Sequence, residues 1–103
     1  MAADKVDFAD RKRTATRVRR AVEYAAEMET GDTVATCAVT AQDSLGADVS
    51  ASLITGPSAS GTKVLWTYLP FGVAGSSYFI RVVATTTQGD VLPHVIQLHI
   101  EGA

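Results

Sequence analysis

The chain has 103 residues, of which 47% are hydrophobic and one is cysteine, and its net charge is −2. This length corresponds to one domain, and so high a hydrophobic content excludes a disordered chain. A single cysteine excludes an internal disulfide and is typical of a protein made in a reducing cytoplasm. We see neither a run of about 20 apolar residues that would span a membrane nor the apolar segment of a secretory signal.

The charges are distributed unevenly along the chain. Residues 1–20 carry seven basic and three acidic side chains, a net of +4, whereas the remainder has a net charge of −6. Almost nothing apolar precedes Val18, so burial would offset little of the entropy lost in ordering this stretch. We therefore expect residues 1–17 to be an extended basic N-terminal arm that becomes fixed against a partner, and residues 18–103 to be the folded domain. The candidate partner-docking residues are Arg11, Lys12, Arg13, Arg17, Arg19 and Arg20.

Residues 10–28 fit two kinds of secondary structure. They contain no glycine or proline, and their apolar positions partly follow the period of a helix. Val18, Arg20, Val22 and Tyr24 also alternate with their neighbours as residues of a strand would. Periodicity leaves both alternatives open here.

From residue 31 onward the pattern indicates strands. Residues 32–40 are rich in Val and Thr and alternate cleanly, and a polar loop follows at 42–48. Residues 49–55 are predicted as a short strand that Gly56 and Pro57 end, because proline cannot donate to a ladder. Residues 62–69 form another predicted strand, which contains Trp66 and ends before Pro70.

The last quarter of the chain predicts a closing β-hairpin. Two apolar runs rich in β-branched residues flank the turn signal Gln88-Gly89-Asp90. In the second run, Val95, Gln97 and His99 alternate with Ile96, Leu98 and Ile100. This period of two is typical of a strand with one buried face, and it predicts that His99 faces solvent.

Tyr78 and Trp66 are predicted to be structural. The entry Ala74-Gly75-Ser76-Ser77-Tyr78 resembles the tyrosine corner of immunoglobulin-like sandwiches, in which a tyrosine hydroxyl bonds to upstream backbone. One tryptophan in a mid-chain strand is usually a core residue. Together these features predict an all-β fold, a single immunoglobulin-like β-sandwich of about six to seven strands.

No constellation of residues predicts catalysis or a cofactor. The histidines and the lone cysteine are not spaced as zinc ligands, and no Gly-x-Ser-x-Gly elbow positions a serine nucleophile. Gly72-Val73-Ala74-Gly75 lacks the Gly-Lys-Ser/Thr ending of a phosphate loop. We therefore expect no enzyme activity, no cofactor and no metal. No aromatic residues interleave with the arginines, so nucleic-acid binding is not favoured either.

Several motifs occur in the order seen in a known family. They are Val22-Glu23-Tyr24, Gly31-Asp32-Thr33-Val34, Gly72-Val73-Ala74-Gly75-Ser76-Ser77-Tyr78, Thr87-Gln88-Gly89-Asp90 and Ile96-Gln97-Leu98-His99-Ile100. Over about residues 18–101 the chain resembles small virion proteins of tailed bacteriophages with an immunoglobulin-like fold. Glu23-Tyr24 stands where that family usually has Asp-Trp. The resemblance favours a strand at residues 18–24, followed by a short helical turn.

The resemblance implies a structural part of a phage particle, a neck or tail/fibre adaptor that acts by protein–protein docking. Its partners would be other virion proteins (portal, neck, tail or capsid subunits), and it would be present in several symmetric copies. It would be made in the host cytoplasm and located in the virion. The alternatives are a capsid decoration or cement protein, a carbohydrate-binding β module, and a small regulator if residues 10–28 are helical.

Overall fold

The computed structural model describes residues 7–102, which form seven strands and two short helical segments. Between β2 and β3 lies a 3-10 turn at Ala25–Glu27, and between β3 and β4 lies a four-residue helix, α1, at Ser50–Leu53. The strands are β1 (Phe8–Lys12), β2 (Val18–Glu23), β3 (Val34–Asp43), β4 (Ile54–Ser60), β5 (Lys63–Tyr68), β6 (Ser77–Thr86) and β7 (Val91–Ile100).

The strands form two sheets. One sheet has the order β1-β7-β6-β3, and the other has the order β2-β5-β4. All the pairings are antiparallel except that of β1 with β7, which is parallel. The prediction of an all-β sandwich of six to seven strands is therefore confirmed.

The core lies between the two sheets and follows the alternation of the strands. Every second residue of β6, from Tyr78 to Ala84, is buried. On β7, Ile96, Leu98 and Ile100 are buried while Gln97 and His99 are exposed, as the sequence predicts. The facing sheet contributes Val22, Val64, Trp66 and Tyr68.

Part of the predicted arm belongs to the sandwich. Phe8–Lys12 forms β1, an edge strand in which Phe8 pairs with Ile96 and Lys12 pairs with Ile100. The physical reason is that β7 offers an edge, so backbone hydrogen bonds order a segment whose side chains alone would not. Residues 1–6 of the predicted arm lie outside the described residues.

The ambiguous segment, residues 10–28, contains strands and no long helix. Val18–Glu23 forms β2, and Val22, which pairs with Val64 of β5, lies in the core. A single 3-10 turn follows, and the Tyr24 backbone N–H donates to the Thr62 carbonyl at 2.9 Å. Pairing with β5 therefore decides between two periodicities that were both present in the sequence.

The prediction of a strand at residues 49–55 is wrong in two respects. Residues 50–53 form α1, and the strand begins only at Ile54 and continues through Gly56 and Pro57 to Ser60. Proline is tolerated because β4 is an edge strand, so its nitrogen needs no ladder partner. The register with β5 also shifts between Thr55 and Ser58, which absorbs the Gly-Pro pair as a bulge.

The predicted closing hairpin is present. β6 and β7 pair antiparallel from Ser77 with His99 to Thr85 with Val91. Gly89 has a φ of 94°, and the Thr86 backbone N–H donates to the Asp90 carbonyl across the turn. Within residues 7–102 no helix is long and apolar enough to cross a bilayer.

Candidate docking surface

The turn between β1 and β2 holds the middle of the basic segment at one end of the sandwich. The Thr14 backbone N–H donates to the Gly102 carbonyl at 2.6 Å, and its hydroxyl donates to the Gly72 carbonyl at 3.1 Å. The Thr16 hydroxyl donates to the Arg13 carbonyl at 2.9 Å and tightens the turn. These bonds attach the turn to the segment that follows β7 and to the β5–β6 loop.

Lys12 is buried, with 4% of its surface exposed. Its Nζ donates to the carbonyl oxygens of Arg13 at 2.7 Å, Phe71 at 3.2 Å and Thr14 at 3.4 Å. Burial lowers the pKa of this ammonium group. Lys12 thus satisfies backbone carbonyls inside the molecule and is not available to a partner.

Arg20 spans the gap between the two sheets. Its Nε lies 2.8 Å from Oδ2 of Asp10 on β1, and its Nη2 lies 3.2 Å from Oδ1 of the same carboxylate. This two-point contact raises the pKa of Arg20, although partial burial opposes the rise. Because its Nε and Nη2 both bind the Asp10 carboxylate, Arg20 links β1 to β2.

The remaining basic side chains of the segment are exposed. Arg11 forms an ion pair with Glu101, with Nη1 and Oε2 3.3 Å apart. Arg13, Arg17 and Arg19 form no ion pair within residues 7–102. We call these three arginines the basic turn patch. Of the six candidate docking residues, the structure therefore leaves these three as free cations.

Tyr78 and Trp66 lie in the core. The Tyr78 hydroxyl accepts a hydrogen bond from the Val73 backbone N–H, five residues upstream, at 3.1 Å. Trp66 is 2% exposed and packs edge-on against Tyr68, with ring centroids 5.8 Å apart. The tyrosine bond ties the β5–β6 loop to β6, and this loop also supplies the Phe71 and Gly72 carbonyls that hold the basic turn.

Acidic residues gather at the other end of the sandwich. Glu27 and Glu29 lie in and after the 3-10 turn, and Asp90 lies in the β6–β7 turn. His94 is placed between two carboxylates there, with Nε2 2.5 Å from Glu27 and Nδ1 3.2 Å from Asp7. Burial alone would lower the pKa of His94, but the two carboxylates outweigh it, so the pKa is raised.

Sequence reasoning missed three structural roles in this region: those of Asp10, Lys12 and His94. Phe8, Asp10 and Lys12 do alternate with Ala9 and Arg11, which was an available signal of a strand with an inward face. Nothing local indicated that His94 would meet Asp7 and Glu27, because both carboxylates are more than 60 residues distant.

The structure was also searched for metal-ligand clusters and for a reactive thiol. No group of three or more potential metal-ligand side chains occurs between residues 7 and 102. Cys37 is half-buried on β3, and burial raises the pKa of its thiol, which disfavours the nucleophilic thiolate. What the arrangement offers is a rigid block with free guanidinium groups at one end.

Comparison with known proteins agrees with a structural role. A search of curated proteins found no match. The model of one protein family, described as podophage GP4 fiber-tail adaptor protein gp77, matches residues 12–99. The matched region takes in the basic turn patch, β2 to β6 and nearly all of β7. Because the match covers most of the chain, this protein belongs to the podophage GP4 fiber-tail adaptor (gp77) family and is a structural adaptor of a bacteriophage tail.

Proposed function

We propose that this adaptor docks onto an acidic surface of a neighbouring virion protein through the basic turn patch. The observation that carries the proposal is that Arg13, Arg17 and Arg19 are exposed and unpaired within the described residues. Arginine forms bidentate hydrogen bonds with carboxylates, so three free guanidinium groups favour an acidic protein partner.

The turn that carries the patch is held in place before docking. Hydrogen bonds from Thr14 to Gly102 and Gly72 fix the turn, and the buried Lys12 ammonium group binds carbonyls of the turn and of the β5–β6 loop. Side chains on a fixed backbone lose less entropy on binding than side chains on a mobile arm. The patch is therefore suited to specific docking.

The adaptor would act in several symmetric copies at the junction of tail and fibre, with portal, neck, tail or fibre subunits as neighbours. The acidic residues of the opposite end, Glu27, Glu29 and Asp90, would repel nucleic acid and leave protein surfaces as the preferred partners. The protein would be made in the host cytoplasm and incorporated into the virion.

We also infer that the sandwich is immunoglobulin-like. Its sheets β2-β5-β4 and β7-β6-β3 have the strand order B-E-D and G-F-C of that fold, with β1 added beside the last strand. The bond from the Val73 N–H to the Tyr78 hydroxyl has the position of a tyrosine corner.

The test replaces the three arginines of the patch with glutamine and measures incorporation into phage particles. We expect Arg13→Gln/Arg17→Gln/Arg19→Gln to fold normally, because all three side chains are exposed, and to be incorporated at least tenfold less. Arg11→Gln is the matched control, since Arg11 is exposed but already paired with Glu101. Incorporation of the control should stay close to wild type.

Salt provides an independent check. Binding of the wild-type chain to tail particles that lack it should weaken between 0.1 and 1 M salt, because the Debye length falls from about 10 Å to about 3 Å. Normal incorporation of the triple variant, or binding that is indifferent to salt, would contradict the proposal.

A further inference from the structure

Large hydrophobic residues are strongly exposed at four positions between residues 7 and 102. These residues are Phe8, Leu45, Val73 and Val91. Single exposed apolar residues are common on proteins, so exposure alone does not mark a binding site. Val73, with 65% of its surface exposed, differs from the others because hydrogen bonds join its loop to the turn that carries the basic turn patch.

The backbone of the β5–β6 loop lies against the basic turn. The Thr14 hydroxyl donates to the Gly72 carbonyl at 3.1 Å. Nζ of Lys12 lies 2.7 Å from the Arg13 carbonyl and 3.2 Å from a carbonyl of the β5–β6 loop, so one ammonium group binds both segments. Since Arg13 precedes Thr14 and Val73 follows Gly72, the exposed side chains of Arg13 and Val73 stand on neighbouring stretches of backbone.

Hydrogen bonds also hold Val73 itself in place. Its backbone N–H donates to the Tyr78 hydroxyl at 3.1 Å, and its carbonyl accepts from the Ser76 N–H at 3.0 Å. The Gly75 N–H donates to the Ile100 carbonyl at 2.8 Å. Because Tyr78 and Ile100 are buried, these bonds anchor the loop to the interior of the sandwich. Val73 is therefore an apolar side chain on an ordered backbone, and it loses little conformational entropy when a partner covers it.

The arginines determine what kind of surface is complementary to Val73. Arg13, Arg17 and Arg19 are exposed and form no ion pair within residues 7–102. A wholly apolar partner would remove water from these cations without pairing them, which is unfavourable. A wholly charged partner would gain nothing from covering Val73, because only apolar surface removed from water contributes. The complementary surface therefore has an apolar side chain with acidic side chains around it.

We propose that Val73 is the apolar centre of the docking surface and packs against an apolar side chain that acidic residues surround on a neighbouring virion protein. This inference rests on the proposed function and adds an apolar contact to it. Protein interfaces commonly have a desolvated apolar core and a polar rim, and here Val73 supplies the core and the arginines supply the rim. The rim charges mainly raise the association rate, whereas burial of Val73 mainly slows dissociation.

Binding of the purified chain to tail particles that lack it tests the proposal. Val73→Ser keeps the backbone N–H that binds Tyr78, so it should fold normally. Loss of one buried apolar side chain should weaken its binding by about fivefold to tenfold. Val73→Ile keeps an apolar, β-branched side chain and should bind within about twofold of wild type.

Val91→Ser is the matched control. Val91 is similarly exposed, at 60%, but it lies at the start of β7, whereas the basic turn lies beside the end of that strand. The control should bind like wild type. Wild-type affinity of Val73→Ser, or an equal loss of affinity in Val91→Ser, would overturn the proposal.

Salt separates the apolar contact from the charges. Val73→Ser keeps all three arginines, so its binding should weaken between 0.1 and 1 M salt by the same factor as that of the wild-type chain. The triple arginine variant should bind weakly and depend little on salt. If Val73→Ser reduced the salt dependence as much as the triple variant does, Val73 would act only by positioning the arginines, and the apolar contact would be excluded.

The outcomes distinguish this inference from the proposed function. If the triple variant binds weakly while Val73→Ser binds like wild type, the basic turn patch docks and Val73 lies outside the docking surface. If Val73→Ser binds weakly while the triple variant binds normally, the apolar contact stands and the charge-based function is wrong. Binding to vesicles of anionic lipid as strong as binding to tail particles would assign this surface to a membrane and overturn the proposal.

Discussion

At the scale of single residues, Gly72 is the glycine of residues 7–102 at which an added Cβ would meet other atoms within 4 Å. Its φ of 124° is rarely adopted by residues with a side chain, and a Cβ built there would lie 2.8 Å from Cγ1 and Cδ1 of Ile100. Ile100 is fully buried, so it can move aside only if its neighbours in the core move as well. The glycine also supplies the carbonyl that binds Thr14.

Gly72→Ala is therefore expected to lower the free energy of unfolding by about 2–4 kcal/mol, through overpacking and backbone strain together. Denaturant unfolding checks the value. Gly75→Ala is the matched control, because Gly75 also has a positive φ of 83° but nothing lies within 4 Å of its Cβ position. That control should cost only the backbone strain, about 1–2 kcal/mol. If the two variants lost the same free energy of unfolding, Ile100 would have to be able to move aside.

Charge alone does not indicate the role of a basic residue in this protein. Lys12 and Arg13 are adjacent and both basic, yet Lys12 binds three carbonyls inside the molecule and Arg13 faces solvent. Alternation of side chains across a strand separates them, since one points toward the core and the next points away.

At the scale of elements, β1 is the strand whose role differs most from the sequence-based expectation. It pairs in parallel with β7 and brings Asp10 to Arg20 of the facing sheet. Removing it would expose the edge of β7 and leave Arg20, which is partly buried, without its carboxylate. Partly exposed ion pairs contribute modestly, so the backbone pairing and the packing of β1 account for most of the expected effect.

Deletion of residues 1–12 should therefore lower the melting temperature by about 10 °C or more, which for a domain of this size corresponds to about 2 kcal/mol. Thermal unfolding followed by circular dichroism measures this. Asp10→Asn keeps β1 and removes only the charge, so it should have a clearly smaller effect. If the truncated chain had the same melting temperature as the full-length protein, the expectation of an independent arm would be supported instead.

Among the elements, α1 stands where the sequence predicted the first half of a strand at residues 49–55, and the hydrogen bonds of Ser50 account for it. Ser50 bonds to Asp48 through its backbone N–H at 2.9 Å and through its hydroxyl at 2.6 Å. The same hydroxyl accepts from the Ala41 N–H on the edge of β3. These side-chain contacts favour a turn of helix over strand, and they depend on β3 being nearby.

At the scale of the whole molecule, the sandwich measures 42 Å along its longest axis. The basic turn patch lies beside the β5–β6 loop, and Glu27, Glu29 and Asp90 lie at the opposite end. His94 holds this acidic end together, since it joins β7 to Glu27 after β2 and to Asp7 before β1. Its ring also packs against those of Phe8 and Tyr24.

The stability of the whole molecule should depend on pH through His94. Its folded-state pKa is raised, so its contribution is fully present below the unfolded pKa of about 6.5 and is lost as pH rises through the folded value. The melting temperature should therefore fall between pH 6 and pH 9. His94→Gln should remove most of this fall, whereas His99→Gln, at an exposed position on β7, should keep it. A fall of equal size in all three proteins would exclude His94 as its source.

Local patterns in the sequence determined the fold class, the hairpin of β6 and β7 and the core positions of Tyr78 and Trp66, because alternation and turn residues act over a few neighbours. They also indicated the basic segment as the candidate docking element. Tertiary structure alone decided which basic residues remain free, because that depends on Asp10 and Glu101 meeting Arg20 and Arg11. It likewise decided that β1 pairs with β7 and that Pro57 lies in an edge strand. Pairing between strands distant in sequence sets each of these features, and no short stretch of residues encodes which edges remain unpaired.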